Sequence, residues 1–459
     1  MINQAINRLI KYGLSKNLLT VDDQEYVLKK LAHLLEVEDT FLSDVEEMPI
    51  EKILDDLVHH AKEKNLIRED SSLEMDHFKA RMMDCLLPRP SDLNKMFRAK
   101  YKKSPQQASR FFHEFSLNSH YIESQALEDN LSFLYTSQFG DLEVIINKAK
   151  TNTTNGHKKF DPINKRQASI SVNNEKNAWT MEFLPQPVLE EHCLISRKDF
   201  LKPYNNDKTF EELIDFVNKF PQYFVMSDMV NALSVRGKPP YHYFQAGKHV
   251  FPIESAEVIG KYKNSRVRIE ILNWPVSAVR LIGNNENRLL DIMHDLYQNW
   301  IQYSNESLKI QGQTEENIHN IIDVMVKLDG SKFNVYMIFK NNYQSDRYPR
   351  GLFQTDEKSI LNNFGMLEDL GVCEINQSLY DDLELVKKIL LGETDISKHQ
   401  KLKYLEEWIT LLKDKEQAED INLFLINQLG ELFEKTLKET NVFKFGKKED
   451  FIAFVEKAV

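Results

Sequence analysis

Pro239-Pro240-Tyr241-His242-Tyr243-Phe244-Gln245-Ala246-Gly247-Lys248-His249-Val250-Phe251-Pro252 lies near the middle of the chain. The stretch is dense in aromatics, imidazoles and amides. Its Ala246-Gly247 step is a place where backbone could come close to a ligand. On composition alone it is a polar-aromatic loop. What it becomes depends on the segments to either side.

The chain has 459 residues, enough for two or three domains. Hydrophobic residues at 42% and charged residues at 28% fit a soluble globular protein. The net charge of -11 disfavours general binding to nucleic acid or an anionic membrane, and leaves room for local basic pockets for a small phosphate ligand. Cys85, Cys193 and Cys373 are far apart and form no CxxC pair. That spacing points to a reducing compartment and away from a disulfide framework or a thiolate zinc site. Met1-Ile2-Asn3-Gln4 carries no signal pattern, and no apolar run approaches the roughly 18 residues of a membrane helix. A cytoplasmic protein is the expectation. No P-loop, GxSxG elbow or HExxH occurs, so neither a cofactor nor a metal is expected.

Residues 1 to about 135 read as helical. Ile6, Leu9, Ile10 and Leu14 recur at helical spacing, and so do Ile53, Leu54, Leu57 and Val58. Ser104-Pro105 predicts a helix start, with a hydroxyl cap followed by proline at the first helical position. Phe111, Phe112 and Phe115 then mark a core face. His59 and His60 are adjacent, cannot share a helix face, and read as surface residues. Pro88 and Pro90 hold the backbone extended around Arg89, and Ser91 or Asp92 could cap the next helix. Arg89 is then either part of a rigid connector or an arginine presented to an anion.

From about residue 140 the pattern changes. Leu142 to Asn147 is a β-branched run; Trp179 to Leu184, His192 to Ser196 and Tyr223 to Met226 are short strand candidates. Thr209-Phe210-Glu211-Glu212 reads as a capping box opening a helix through about Phe220. Arg266 to Leu272 reads as a strand and Asn287 to Tyr303 as an amphipathic helix. Val324 to Phe339 reads as a hairpin around Asp329-Gly330. Strands and helices mixed in this way predict an α+β layer. Thr151 to Lys159 reads as a mobile polar linker. Arg166, just beyond it, either meets a phosphate or sits in a solvated loop. The tail from about 376 is helical. Its stripes Leu383, Leu385, Val386, Ile389 and Trp408, Ile409, Leu411, Leu412 mark packing helices or a partner contact.

Leu87-Pro88-Arg89-Pro90-Ser91-Asp92-Leu93-Asn94, Ser119-His120-Tyr121-Ile122 and Gly140-Asp141-Leu142-Glu143-Val144-Ile145-Ile146-Asn147 resemble segments of the class II galactose-1-phosphate uridylyltransferases in order and spacing. So do Glu190-Glu191-His192-Cys193, Phe220-Pro221-Gln222-Tyr223-Phe224, Trp274-Pro275-Val276-Ser277, His319-Asn320, Lys340-Asn341-Asn342 and Tyr348-Pro349-Arg350-Gly351. The likeness spans nearly the whole chain. It implies an α+β fold: a helical N-terminal domain over 1–135, a duplicated histidine-triad-like antiparallel sheet core with packed helices in halves 136–255 and 256–375, and a helical C-terminal region over 376–459. It implies transfer of uridylyl from UDP-glucose to a hexose 1-phosphate in galactose metabolism, through a covalent nucleotidyl-enzyme, by a homodimer.

In that family the central segment reads roughly SHDHFQGG. Its second histidine attacks the α-phosphorus and its glutamine hydrogen-bonds phosphate oxygens. Aligned on Phe244-Gln245 and Gly247, the two family histidines fall on Tyr241 and Tyr243, with His242 between them. Neutral imidazole, with a pKa of about 6.5, is a competent nucleophile near pH 7; a phenol with a pKa of about 10 is only about 0.1% ionised there. A one-residue shift to His242 would reverse the face of an extended segment. The resemblance thus makes Tyr243 and His242 the catalytic candidates, and Gln245, Gly247, Arg89, His192, Asn341 and Asn342 the substrate-binding ones. The family's CxxC segment has no counterpart, and a later histidine cluster is replaced by Gln354-Thr355-Asp356 and Ser359-Ile360. These departures leave an alternative: a non-catalytic nucleotide-sugar-binding or regulatory paralogue.

Overall fold

The computed structural model describes residues 2–67, 72–122, 128–150, 163–172, 175–197, 207–227, 243–264, 266–315, 317–345, 348, 351–352, 360–361, 365–415 and 420–459. His242 and the 151–159 linker lie outside the described residues. The chain divides into two compact units. One comprises Met1–Glu128, Asn152–Ser169 and Met181–Pro187; the other comprises Asp129–Thr151, Ile170–Thr180 and Val188–Val459.

The first unit carries helices α1 (Ile2–Ser15), α2 (Gln24–Leu34), α3 (Ile50–Glu63), α4 (Ser72–Asp84), α5 (Pro90–Tyr101) and α6 (Pro105–Asn118). Ile6, Leu9 and Ile10 of α1 and Ile53, Leu54, Leu57 and Val58 of α3 are buried, as their spacing predicts. Ser104 caps α6: its hydroxyl accepts from the Gln107 N–H at 3.1 Å. Helix α5 begins earlier than expected. Pro90 itself takes the first helical position and extended Arg89 is the cap residue, so neither Ser91 nor Asp92 caps. Proline suits that position because it has no N–H to leave unsatisfied.

Arg166 departs from both of its expected roles. Its Nη2 lies 2.7 Å from Asp84, and its Nε and Nη1 donate to the carbonyls of Pro88 and Ile163. It is a strut that ties the end of α4 to the proline connector.

Downstream, β1 (Leu131–Ser137) and β2 (Gly140–Asn147) form an antiparallel hairpin. Then come β3 (Ala168–Val172), β4 (Glu175–Phe183), β5 (Glu190–Arg197), α7 (Asp207–Lys219), β6 (Phe224–Ser227) and β7 (Tyr243–Lys248). The same sequence of elements follows again: β8 (Val258–Asn264), β9 (Val267–Leu272), β10 (Ala278–Gly283), α8 (Glu286–Gln302), β11 (Asn320–Asp329) and β12 (Lys332–Asn341). These ten strands make one sheet in the order β3-β4-β5-β7-β6-β11-β12-β10-β9-β8. Read inwards from either edge, the order is first, second, third, fifth, fourth. The two runs meet where Val225 and Met226 pair with Val326 and Met325. The β11–β12 hairpin turns at Gly330, whose φ of +59° glycine adopts without strain. Helix α7 starts at Asp207, so buried Thr209 sits inside the first turn instead of at the expected cap.

The tail adds α9 (Met366–Asp369), β13 (Val372–Asn376), α10 (Gln377–Leu390), α11 (Glu406–Lys413), α12 (Ile421–Thr440) and α13 (Lys448–Ala458). Strand β13 pairs in parallel with β2. Leu142, Val144 and Ile146 of β2 share one core with Phe224, Met226, Met325, Tyr336 and Ile338 of the large sheet. Val386, Ile389, Ile409 and Leu412 pack together with Phe424 and Leu425, while Leu411 faces solvent. The three cysteines are free and buried. No helix among the described residues is long and apolar enough to cross a membrane.

Candidate functional site

Strand β7 runs between β5 and β6 and carries the central stretch into the sheet. Tyr243, Gln245 and Gly247 share one face because strand side chains alternate. Phe244 and Ala246 take the other face, where the Phe244 ring stacks on Trp179 at 5.3 Å. Tyr243 is half-buried and pairs with Ser196.

Strand β5 is bulged opposite Gly247. Glu190 pairs with Lys248 and Cys193 with Ala246, so Glu191 and His192 together oppose one residue. Glu191 has a φ of +48°. Its carboxylate is held by the Tyr223 hydroxyl and the Lys248 ammonium. A Cβ on Gly247 would lie 3.0 Å from the Glu190 carbonyl oxygen and 3.3 Å from the His192 Cα. The glycine therefore admits the bulged backbone of β5; in this structure the close approach is strand on strand.

The bulge aims His192 at Gln245. Its Nε2 lies 2.9 Å from Gln245 Oε1 across 53 residues of sequence. With the amide oxygen facing it, Nε2 carries the proton and Nδ1 is left as an acceptor. That Nδ1 is buried and has no partner among the described residues. Burial pushes the His192 pKa down to about 4, against smaller upward effects of the Gln245 hydrogen bond and Glu374. The imidazole is neutral at pH 7.

Charged groups surround this pair. Glu374 on β13 accepts from Asn147 at 2.8 Å and from Lys150 at 2.5 Å. Glu143 on β2 accepts from Ser132 at 2.6 Å and lies 2.8 Å from His249 Nε2. Burial raises the Glu143 pKa, but hydrogen bonds from His249 and Ser132 outweigh it and hold the carboxyl below its ordinary range. Glu374, Lys150 and His249 are all close enough to act on the His192 titration. Sequence reading missed this shell. His249 stood in the central stretch and Glu143 in the β2 motif, but nothing local to either announces the other, 106 residues away.

The remaining candidates lie elsewhere. Arg89 is exposed at the start of α5 in the first unit. Asn341 is fully buried; its amide donates to the Gln311 carbonyl and Asn320 Oδ1, and its oxygen accepts from the Tyr343 N–H. Asn342 Oδ1 lies 3.2 Å from His319 Nδ1. The row of paired positions through Gln245 runs to Met226, Met325 and Tyr336. Asn341 is five residues beyond Tyr336, roughly 17 Å further along the strand. The sheet thus joins His192, Gln245 and Gly247, with Tyr243 on the same face, and separates the two asparagines from them.

The chain has no cysteine between Cys85 and Cys193, and among the described residues no three His, Cys, Asp or Glu side chains cluster suitably for a metal. No step below runs through a metal.

Residues 19–165 match the family model described as galactose-1-phosphate uridyl transferase, N-terminal domain. A galactose-1-phosphate uridylyltransferase of Clostridium acetobutylicum is 25% identical, with 97% of each chain covered. One from Clostridium perfringens is 27% identical over 96% of each chain. One from Streptococcus pneumoniae is 27% identical over 97% of this chain and 96% of its own. Among solved structures, a yeast Ap4A phosphorylase aligns at 11% identity with a TM-score of 0.34, covering 64% of this chain and 90% of that one.

Proposed function

The chain belongs to the galactose-1-phosphate uridylyltransferase family, and we propose that it transfers a uridylyl group from UDP-glucose to a hexose 1-phosphate. The observation that carries this reading is the match to enzymes of that name along nearly the whole of both chains. Nothing favours the non-catalytic alternative over it.

In this reading β7 supplies the site. The nucleophile is the Tyr243 phenol at its first residue, or the imidazole of His242, the residue before it in the sequence. Its attack forms a bond to the α-phosphorus and breaks the bond to the bridging oxygen, releasing glucose 1-phosphate. The phosphate of the incoming hexose 1-phosphate then takes the uridylyl group and frees the nucleophile. Dividing the displacement in this way replaces one hard step with two easier ones. Gln245, positioned by neutral His192, offers its amide to the phosphate oxygens, and Gly247 keeps β5 close enough for that contact. Arg89 is exposed and can meet an anion.

A duplicated core with halves at 136–255 and 256–375 belongs to the same reading. The strand order repeated from each edge of the large sheet supports it. A homodimer follows the resemblance.

The test incubates the purified chain with UDP-glucose and galactose 1-phosphate. Formation of UDP-galactose and glucose 1-phosphate, lost in the His192→Ala variant, is the expected result. No exchange by the folded chain would sink the proposal.

A further inference from the structure

A cavity opens beside the large sheet's second run, well along the chain from β7. It has a volume of about 260 Å³ and lies between the loop 273–277, which joins β9 to β10, and the segment from the end of α12 to the start of α13. Trp274, Phe443 and Phe451 form an apolar wall, and Lys438, Lys444, Lys447 and Lys448 also line it. Among the described residues no acidic side chain does. That is unexpected in a chain whose net charge is -11. Ammonium groups gathered on one cavity repel each other unless an anion joins them.

The lysines differ in how they are held. Lys438 has a carboxylate partner, Glu434 at 2.5 Å. Lys448 reaches Asn273 Oδ1 at 2.5 Å, a neutral oxygen on the opposite rim. Lys444 donates to two carbonyl oxygens, those of Leu352 and Glu439, and burial pushes its pKa down to about 8. Among the described residues, Lys444, Lys447 and Lys448 have no carboxylate within salt-bridge distance. The Lys444 ammonium also lies 5.2 Å from the Tyr348 ring and 5.8 Å from the Phe445 ring; these contacts and the carbonyls only partly offset its desolvation, and an anion would add to them. Helix α13 starts at the same rim, where Asp450 already accepts from the Lys447 N–H at 2.7 Å, so an anion here would rest on the ammonium groups and not on the helix end.

We propose that this cavity is a binding site for a small phosphomonoester, its phosphate held by Lys444, Lys447 and Lys448 and its organic part laid against Trp274 and Phe443. A cavity of about 260 Å³ has room for a phosphomonoester. None of its lining residues lies on β5, β6 or β7, so the site is distinct from the one proposed there and does not depend on it.

The test is calorimetric titration of the full chain with inorganic phosphate and with phenyl phosphate, in the presence of saturating UDP-glucose. Saturable binding of one equivalent is expected, tighter for phenyl phosphate because the wall contributes. The exposed double variant Lys447→Met/Lys448→Met should weaken both at least tenfold while leaving thermal stability unchanged. Lys444→Met should weaken them further, and its fold is checked by the same melt. Absence of saturable binding in the millimolar range, or equal affinity in the double variant, would overturn the proposal. So would inorganic phosphate binding as tightly as phenyl phosphate.

Discussion

The two runs of the large sheet share their strand order but handle polar groups in opposite ways. One row of paired positions crosses both: Leu194, Gln245, Met226, Met325, Tyr336, Arg280 and Glu270. On the first run, Gln245 bonds His192, whose second nitrogen has no partner among the described residues. On the second run, Arg280 makes two contacts with Glu270, at 2.7 and 2.6 Å, and donates to the Glu254 carbonyl at 2.8 Å. Further along, buried Lys340 sits between Asp323 and Asp369. Closed ion pairs leave no capacity for a ligand. An imidazole with a spare acceptor does. Along this row the first run keeps an open polar group and the second run a closed ion pair.

The largest effect should come from breaking the closed side. Glu270→Ala leaves Arg280 without its main counter-ion and should cost about 3–5 kcal/mol. A denaturant titration reads this as a lower midpoint at constant slope. Transfer activity per folded molecule should stay within about twofold, since no β7 contact changes.

The next effect depends on pH. Folding takes the His192 pKa from 6.5 to about 4, so the unfolded chain binds more protons between those values. The stability from burying neutral His192 is complete above pH 6.5 and is lost as pH falls towards 4. That loss is about 3 kcal/mol. His192→Asn should flatten this part of the stability–pH curve, as followed by thermal melts. An unchanged slope would mean that His192 is not buried as described.

Gln245→Ala should lower kcat/KM for uridylyl transfer about 100-fold, in line with the loss of one well-placed donor, with little change in melting temperature. Gly247→Ala is the mildest of the four. Its methyl group meets the β5 backbone, and overpacking of that kind costs about 1–3 kcal/mol. Activity should fall along with stability, because the same shift moves His192 away from Gln245.

Much of the fold was legible from local signals. Ser104-Pro105, the Asp329-Gly330 turn and the 287–303 helix each follow from neighbouring residues, and each is present with boundaries within a few residues. Two helices start earlier than their expected caps, at Pro90 and at Asp207. The site was legible only in part. Nothing local to His192 announces Gln245, 53 residues away. The bulge at Glu191 that joins them shows in sequence only as Gly247 on a different strand. Arg166 was misread for the same reason, since its partner Asp84 is 82 residues distant. The lysine cavity was anticipated only as a local basic pocket, because its two rims lie more than 160 residues apart.

The most direct test of the central claim uses UDP-glucose labelled at its α-phosphate. The purified chain should acquire covalent label that galactose 1-phosphate removes. Acid-stable label lost in Tyr243→Phe identifies a tyrosyl ester, and acid-labile label lost in His242→Asn identifies a phosphoramidate. A folded chain that takes up no label and exchanges no uridylyl group would contradict the account.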